Sequence, residues 1–532
     1  MYVRYAVALL AFGGLASLAV ADYVILQANI PDKPTHVGIV LPLTKRPITL
    51  KTGHIQMEHR WGKTHLYGDD KVIMVARGEH LLPIPSIEKE WEAKQKELMG
   101  DSTPEKRFEV AEWALNRGQL DKFIDMMAEL VKTPSNRPDI QAAIQAYQQI
   151  HPRLQNPLPR DEAIVQFWMK QGCEPSDLRF HYTILFDGPS KDNSTLYRYA
   201  GHFEHIFQSY YYWFAFQGQV LPLPARRLPV LIVERPEDFE RHRKVLFNRP
   251  LQSDGFFARR DNVVVVSLTR LDEPFEALVQ YNNQELWKQG WNMQLLLAGK
   301  GDGFPAMMVP ALVPDFLSRL HRAQMLALMQ RALQDEGERA TVTREAVGQL
   351  VAASGLLPRN VMAPAWIQHG MANVFETPKG ALWTGVGHTS WVYRLGYNEC
   401  VMQGLLSDPA QALERVVTDY YFQAGQSEPE AATTGQSLAW ALTYFLAQRK
   451  IDGLLRYFQE LSQLPRDLEF DDSVLLGCFL RAFDLYDAQQ ADGIDRQKLR
   501  QLAQEWHQYI NSTPPPIPVE RLSFIHQCMK GK

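Results

Sequence analysis

Residues Thr341 to Leu350 read TVTREAVGQL, and after a short break Ala365 to Pro378 read AWIQHGMANVFETP. Val342, Ala346 and Leu350 recur four residues apart, the spacing that puts side chains on one face of an α-helix, so the first stretch is expected to be a helix with those three buried. In the second stretch His369 and Glu376 lie seven apart and share a helix face. Upstream, Arg179–Phe186 (RFHYTILF), Leu228–Glu234 (LPVLIVE) and Asn262–Ser267 (NVVVVS) are rich in β-branched and aromatic residues and are expected to be strands. A long aromatic helix is expected between the first two, from about Thr195 to Phe216. Strands first and helices afterwards make an α+β fold.

A helix-borne zinc peptidase needs two histidines four apart with a glutamate beside the first, which sets both imidazoles on one face and the carboxylate next to the metal-bound water. No HExxH occurs in the chain. The two stretches nevertheless resemble an uncharacterised family of secreted, gluzincin-like proteins with a pattern close to T-V-x-H-E-x-x-H-Q-L and, a short interval later, P-x-W-x-x-E-G-x-A-x-x-F-E-T-P. Thr341, Val342, Glu345, Gln349 and Leu350 match the first half. Pro364, Trp366, Gly370, Ala372, Phe375, Glu376, Thr377 and Pro378 match the second, and the resemblance extends over residues 176–511.

That resemblance implies a gluzincin-like domain with Glu345 at the general-base position. Its three ligand positions are occupied here by Arg344, Gly348 and His369. A guanidinium has no lone pair for zinc and glycine has no side-chain donor. The expectation is therefore a degenerate peptidase that holds no metal cofactor and takes a peptide or protein in the former cleft, with Glu376 and Trp366 as candidate cleft partners. Arg344 is expected to pair with Glu345 or reach Glu376, replacing the positive charge of the metal. One alternative is an active zinc metallopeptidase with relocated ligands, for which His202 and His205 at i and i+3, with Glu204 between them, and His388 are the candidates. Another is a structural envelope protein whose outer modules make the contacts. The run Tyr210–Phe214 suits either a peptide-binding wall or a core.

Around this body the 532-residue chain is ordinary in composition, with 45% apolar and 22% charged residues and a formal charge of −4. That balance excludes wholesale disorder and a polytopic membrane protein, and the absence of a basic excess argues against nucleic-acid binding. Arg4, the uncharged run Tyr5–Val20 and Ala19-Val20-Ala21 have the pattern of a secretory signal peptide, with cleavage expected after Ala21. The run is shorter than a membrane span. The mature chain is thus expected to be secreted or periplasmic, with no membrane span after cleavage.

Cys173, Cys400, Cys478 and Cys528 are scattered and contain no CxxC pair, so neither a zinc ribbon nor a disulfide framework is signalled. Residues 22–85 are expected to form a small SH3-like β-barrel. Its five histidines, His36, His54, His59, His65 and His80, fit no ligand spacing. Residues 86–151 read as a helical-hairpin spacer opened by Thr103-Pro104-Glu105, and 152–175 as a proline-marked linker. The gluzincin-like α+β domain is placed at 176–400, a helical C-terminal part at 401–511 and an extended tail at 512–532.

Overall fold

The structure is a computed structural model. It describes residues 87–133, 135–176, 181–189, 193–247, 253–270, 279–280, 284, 314–375, 391–425 and 429–513, and of residues 20–85 the strands alone. The fold is mixed α+β and mostly helical, with a small five-stranded sheet in its body. The chain divides into two compact units, one of residues 1–100, 281–329 and 524–532, the other of residues 101–280 and 330–523.

In the first unit β1 (Val20–Ala21) is followed by β2 (Tyr23–Asn29), β3 (His36–Pro42), β4 (Lys45–Thr49), β5 (Ile55–His59), β6 (Gly62–Leu66), β7 (Val72–Ala76) and β8 (Ile84–Pro85). β2 lies between β3 and β7 in one antiparallel sheet, β4, β5 and β6 form a meander, and β1 pairs with β8. The expected strands are present, grouped into two three-stranded sheets and a two-stranded pair. α1 (Ile87–Gly100) follows. Residues 1–19, which hold most of the expected export signal, lie outside the described residues, as do the side chains of the five histidines.

The second unit begins with α2 (Pro104–Asn116), α3 (Leu120–Lys132), α4 (Pro138–Leu154) and α5 (Glu162–Lys170). Thr103 caps α2 as expected, its Oγ1 accepting the Lys106 N–H at 3.4 Å. The segment read as a linker is partly structured. α4 runs on past Pro152 to Leu154, and α5 is capped by Asp161, which accepts the N–H groups of Ala163 and Ile164 at 3.2 and 3.3 Å. Val165 and Trp168 then bury one face of α5. The prolines obscured a cap signal that was present in the sequence.

β9 (Glu174–Pro175), β10 (Tyr182–Asp187), β11 (Leu228–Val233), β12 (Gly255–Ala258) and β13 (Val263–Ser267) form the sheet, in the order β12-β13-β11-β10-β9. β10, β11 and β13 are parallel, with Tyr182 opposite Leu228 and Val230 opposite Val264, and the two edge strands run antiparallel. Ile184, Val230, Ile232, Val264 and Val266 face the main core. Leu185, Leu231, Val233, Val263 and Val265 face a smaller one with Trp168, Phe239 and Phe256. Burial on both faces explains the unbroken apolar runs of these strands. α7 (Pro236–Leu246) carries Phe239 into the smaller core.

α6 (Asn193–Phe216) is the aromatic helix, and its C-terminal half is buried all round. Phe216 stacks on Phe108 of α2 at 4.2 Å, and Tyr212 meets Phe123 of α3 and accepts or donates a 2.8 Å hydrogen bond with His151 of α4. On another side Tyr210 and Trp213 pack on Phe375. The Tyr210–Phe214 run is therefore core, and α2–α4 share that core rather than standing apart as a spacer.

α8 (Pro314–Ala353) and α9 (Ala365–Val374) contain the two opening stretches. α10 (Trp391–Met402), α11 (Pro409–Val417), α12 (Tyr420–Ala424), α13 (Pro429–Arg449), α14 (Ile451–Ser462), α15 (Asp472–Ala482) and α16 (Arg496–Ser512) complete the unit. The boundary drawn at 400/401 falls inside α10, and α9 packs against α13 beyond it. Gly370 makes that packing close: a Cβ there would meet the Thr443 side chain and lie 2.9 Å from the Ala439 carbonyl oxygen. Gln349 fastens α8 to the sheet by donating to the carbonyls of Pro229 and Asn262 at 3.1 and 2.8 Å. Cys173, Cys400 and Cys478 are buried free thiols. Among the described residues no helix is long and apolar enough to cross a membrane.

Candidate functional site

Arg344, Glu345 and Gly348 come from α8 and His369 comes from α9, and all four line one cavity of about 1050 Å³. The i, i+1 and i+4 positions of α8 turn toward the cavity, while Val342, Ala346 and Leu350 go to the core as their spacing requires. Phe257 of the edge strand β12, Ile367 and Met371 of α9, and Arg259, Arg359 and Asp467 complete much of the wall.

Arg344 is the centre of the polar network. Its Nε donates to Glu345 Oε1 at 2.6 Å and its Nη2 to Ser253 Oγ. The Arg344 side chain is 32% exposed and that of Glu345 12%. Glu345 also accepts the backbone N–H of Phe257, which ties α8 to β12. Burial raises the pKa of Glu345 in spite of Arg344, which favours its charged form. The imidazole of His369 stacks on Phe422 at 4.9 Å. Burial and the charge of Arg344 push its pKa down to about 4, so the ring is neutral near pH 7.

α9 is held from a distance. The carboxylate of Asp419, a left-handed residue with φ 59°, accepts the N–H groups of Ala365 and Trp366 at 2.6 and 2.8 Å, satisfying two orphan donors at the start of the helix. Burial pushes Asp419 up to about 6, opposed by those two bonds. Nothing in the local sequence of α9 announces this cap, because it lies more than fifty residues away. The edge strand β12 and Ser253 were likewise missed.

One expected site residue is placed elsewhere. Trp366 is not part of the cavity wall: it is fully buried, 5.4 Å from Tyr457, and belongs to the core between α9, α14 and α15. Glu376 and His388 lie outside the described residues. The relocated-ligand candidates do not converge. His202 Nδ1 lies 3.4 Å from Glu338 Oε1, while Glu204 bonds His181 Nδ1 at 2.5 Å and His205 is half-buried with its pKa pushed down to about 4 by desolvation. Glu338 is further held by Arg198 through two hydrogen bonds of 2.9 and 2.8 Å.

As a zinc site, positions 344, 348 and 369 do not fit the metal. They offer a protonated guanidinium, a bare backbone and a single imidazole, one donor where a catalytic zinc needs three. Arg344 Nε, 2.6 Å from the carboxylate that would serve as the base, occupies that carboxylate instead.

His369 contributes to the acid response of the fold. An unfolded histidine takes up its proton near pH 6.5, but folded His369 does so only near 4, so its contribution is present above 6.5 and is lost as pH falls through that window. Asp419 acts in the opposite sense between its ordinary 3.8 and about 6, because the folded chain holds its proton more tightly. Replacing His369 by Gln should therefore flatten the pH dependence of stability. Between pH 6.5 and 4.5 the wild type should lose about 2 kcal/mol more than His369→Gln in denaturant titrations. Parallel curves would show that the ring is protonated without penalty.

A family model described as "Protein of unknown function (DUF1570)" matches residues 338–466, from within α8 through α14. The match takes in all four cavity residues named at the outset of this section and leaves out the sheet. No curated protein and no solved structure matches the chain.

Proposed function

We propose that the chain is a non-catalytic, gluzincin-like binding protein of the cell envelope, exported by its N-terminal signal, whose cavity takes an extended peptide or a protein segment. One observation carries the reading: Arg344, Glu345, Gly348 and His369, from two helices, face a single cavity, with an ion pair where the resembling pattern has a ligand and a base. The charge of Arg344 does for Glu345 what a metal would otherwise do, holding one of its carboxylate oxygens in an ion pair. The edge strand β12 supports an extended occupant, since Gly255, Phe256 and Phe257 line the same cavity on the side of the sheet where, among the described residues, no further strand pairs.

Gly348 provides the test. A Cβ there would lie 3.6 Å from Phe257 Cδ1, an ordinary contact, so a large side chain can be installed pointing into the cavity. The full-length chain is expected to bind a subset of an arrayed library of extended peptides, and Gly348→Trp, with unchanged thermal stability, is expected to lose them. A chain that binds no peptide, or a Gly348→Trp variant with the wild-type binding profile, would overturn the proposal.

A further inference from the structure

We propose that the carboxyl edge of the sheet carries a second, separate site: a divalent transition-metal site of the zinc type, with Cys173, Asp187 and His242 as its protein ligands. The three come from different elements, Cys173 from the turn after α5, Asp187 from the last position of β10 and His242 from α7. One donor atom from each lies within 4.8 Å of the other two, and among the described residues no other group of three histidine, cysteine or carboxylate side chains converges in this way. A tetrahedral zinc ion with bonds of about 2.0–2.3 Å spaces its ligand atoms about 3.3–3.8 Å apart, so small side-chain shifts close the set. None of the three lines the cavity between α8 and α9.

The surroundings are those of a ligand shell. Cys173 is 3% exposed, within the smaller core beside Trp168, whose indole meets the His242 ring edge-on at 5.9 Å. His242 Nε2 and Arg241 Nη2 both bond the same oxygen of Asp187, Oδ2, at 2.7 and 2.9 Å. Neither of them engages Oδ1. Arg241 in turn pairs with Asp238, which balances its charge. The position is also the one where open sheets with parallel strands place ligands, outside the carboxyl ends of the strands.

The charge balance closes. A divalent ion would displace the proton of the Cys173 thiol, and His242 would keep its one ring proton on Nδ1 and present Nε2 to the ion, giving a neutral assembly of thiolate, carboxylate, imidazole and dication in an apolar pocket. Arg241 would remain as an outer hydrogen-bond donor to Asp187. A thiolate donor selects zinc or cobalt over magnesium, calcium or manganese, and three protein ligands leave a fourth position open. A thiol binds the ion only as its thiolate, so binding must release a proton and tighten as pH rises.

The full-length chain, stripped with chelator under reducing conditions and titrated with cobalt(II) alone, is expected to bind one equivalent with a sulfur-to-cobalt charge-transfer band that zinc abolishes. Cys173→Ser should lose the band, and Asp187→Asn and His242→Gln should weaken binding at least about tenfold. His369→Ala should bind as the wild type does. The absence of a charge-transfer band in the folded wild type, or a band unchanged in Cys173→Ser, would overturn the assignment. If Cys173→Ser does not fold, wild-type affinity in His242→Gln would overturn it instead. Cobalt lost in His369→Ala and kept in Cys173→Ser would overturn both this site and the binding-protein reading of the cavity.

Discussion

Gly370→Ala should destabilise the second unit by about 2 kcal/mol or more, while Gly348→Ala, on the facing helix, should stabilise it by up to about 1 kcal/mol. Both glycines lie inside helices, where alanine is intrinsically better by about 1 kcal/mol because glycine loses more backbone entropy on folding. The difference is the space. At Gly348 a methyl group reaches an ordinary contact with Phe257, whereas at Gly370 it would lie 2.7 Å from Thr443 Cβ and 2.9 Å from the Ala439 carbonyl oxygen. Thr443 is fully buried, a change of rotamer does not move its Cβ, and Ala439 presents backbone. α9 would have to move away from α13 and carry His369 out of the cavity wall. Denaturant midpoints of the two variants should shift in opposite directions, and shifts of the same sign would contradict the close approach of α9 and α13.

Arg344→Met should cost about 2–3 kcal/mol at pH 7, and most of that should return in the double variant Arg344→Met/Glu345→Gln. Arg344 and Glu345 neutralise one another in a wall largely withdrawn from water, and removing the guanidinium strands a carboxylate that burial already disfavours. The single variant should also show a distinctive pH signature. With its folded pKa raised further above the unfolded value, Glu345 would hold a proton more tightly in the folded chain, so the deficit should shrink as pH falls toward the unfolded carboxylate pKa of about 4.3. A deficit independent of pH, or equal in single and double variants, would mean that Arg344 acts through packing of its stem rather than through its charge.

Sequence patterns exposed what local periodicity can encode. LPVLIV and VVVVS could be read as strands because parallel strands covered on both faces must be apolar throughout, and the four-residue rhythm of Val342, Ala346 and Leu350 fixed which face of α8 would be free to carry Arg344, Glu345 and Gly348. What an apolar face packs against is not encoded locally. The faces of α2–α4 were visible, but their union with Phe207, Tyr212 and Phe216 in one core was not, so they were read as a spacer. Trp366 shares the pattern of its neighbours, and only the approach of Tyr457 and Phe479 marks it as core rather than cavity. Asp419 and β12 were hidden for related reasons: the one is a cap supplied across the fold, the other a four-residue edge strand between turn residues. The Cys173–Asp187–His242 group has no sequence signature, since three separate elements bring it together.

Zinc binding by the triple variant Arg344→His/Gly348→His/His369→Glu, made in a Cys173→Ser background and compared with the same background alone, tests the reading of the cavity most directly. If positions 344, 348 and 369 are former ligand positions around one point, the triple variant should bind one zinc ion far more tightly than its parent, because two imidazoles four apart on α8 and a carboxylate from α9 complete a three-ligand set. A folded triple variant that binds zinc no better than the Cys173→Ser parent would contradict it.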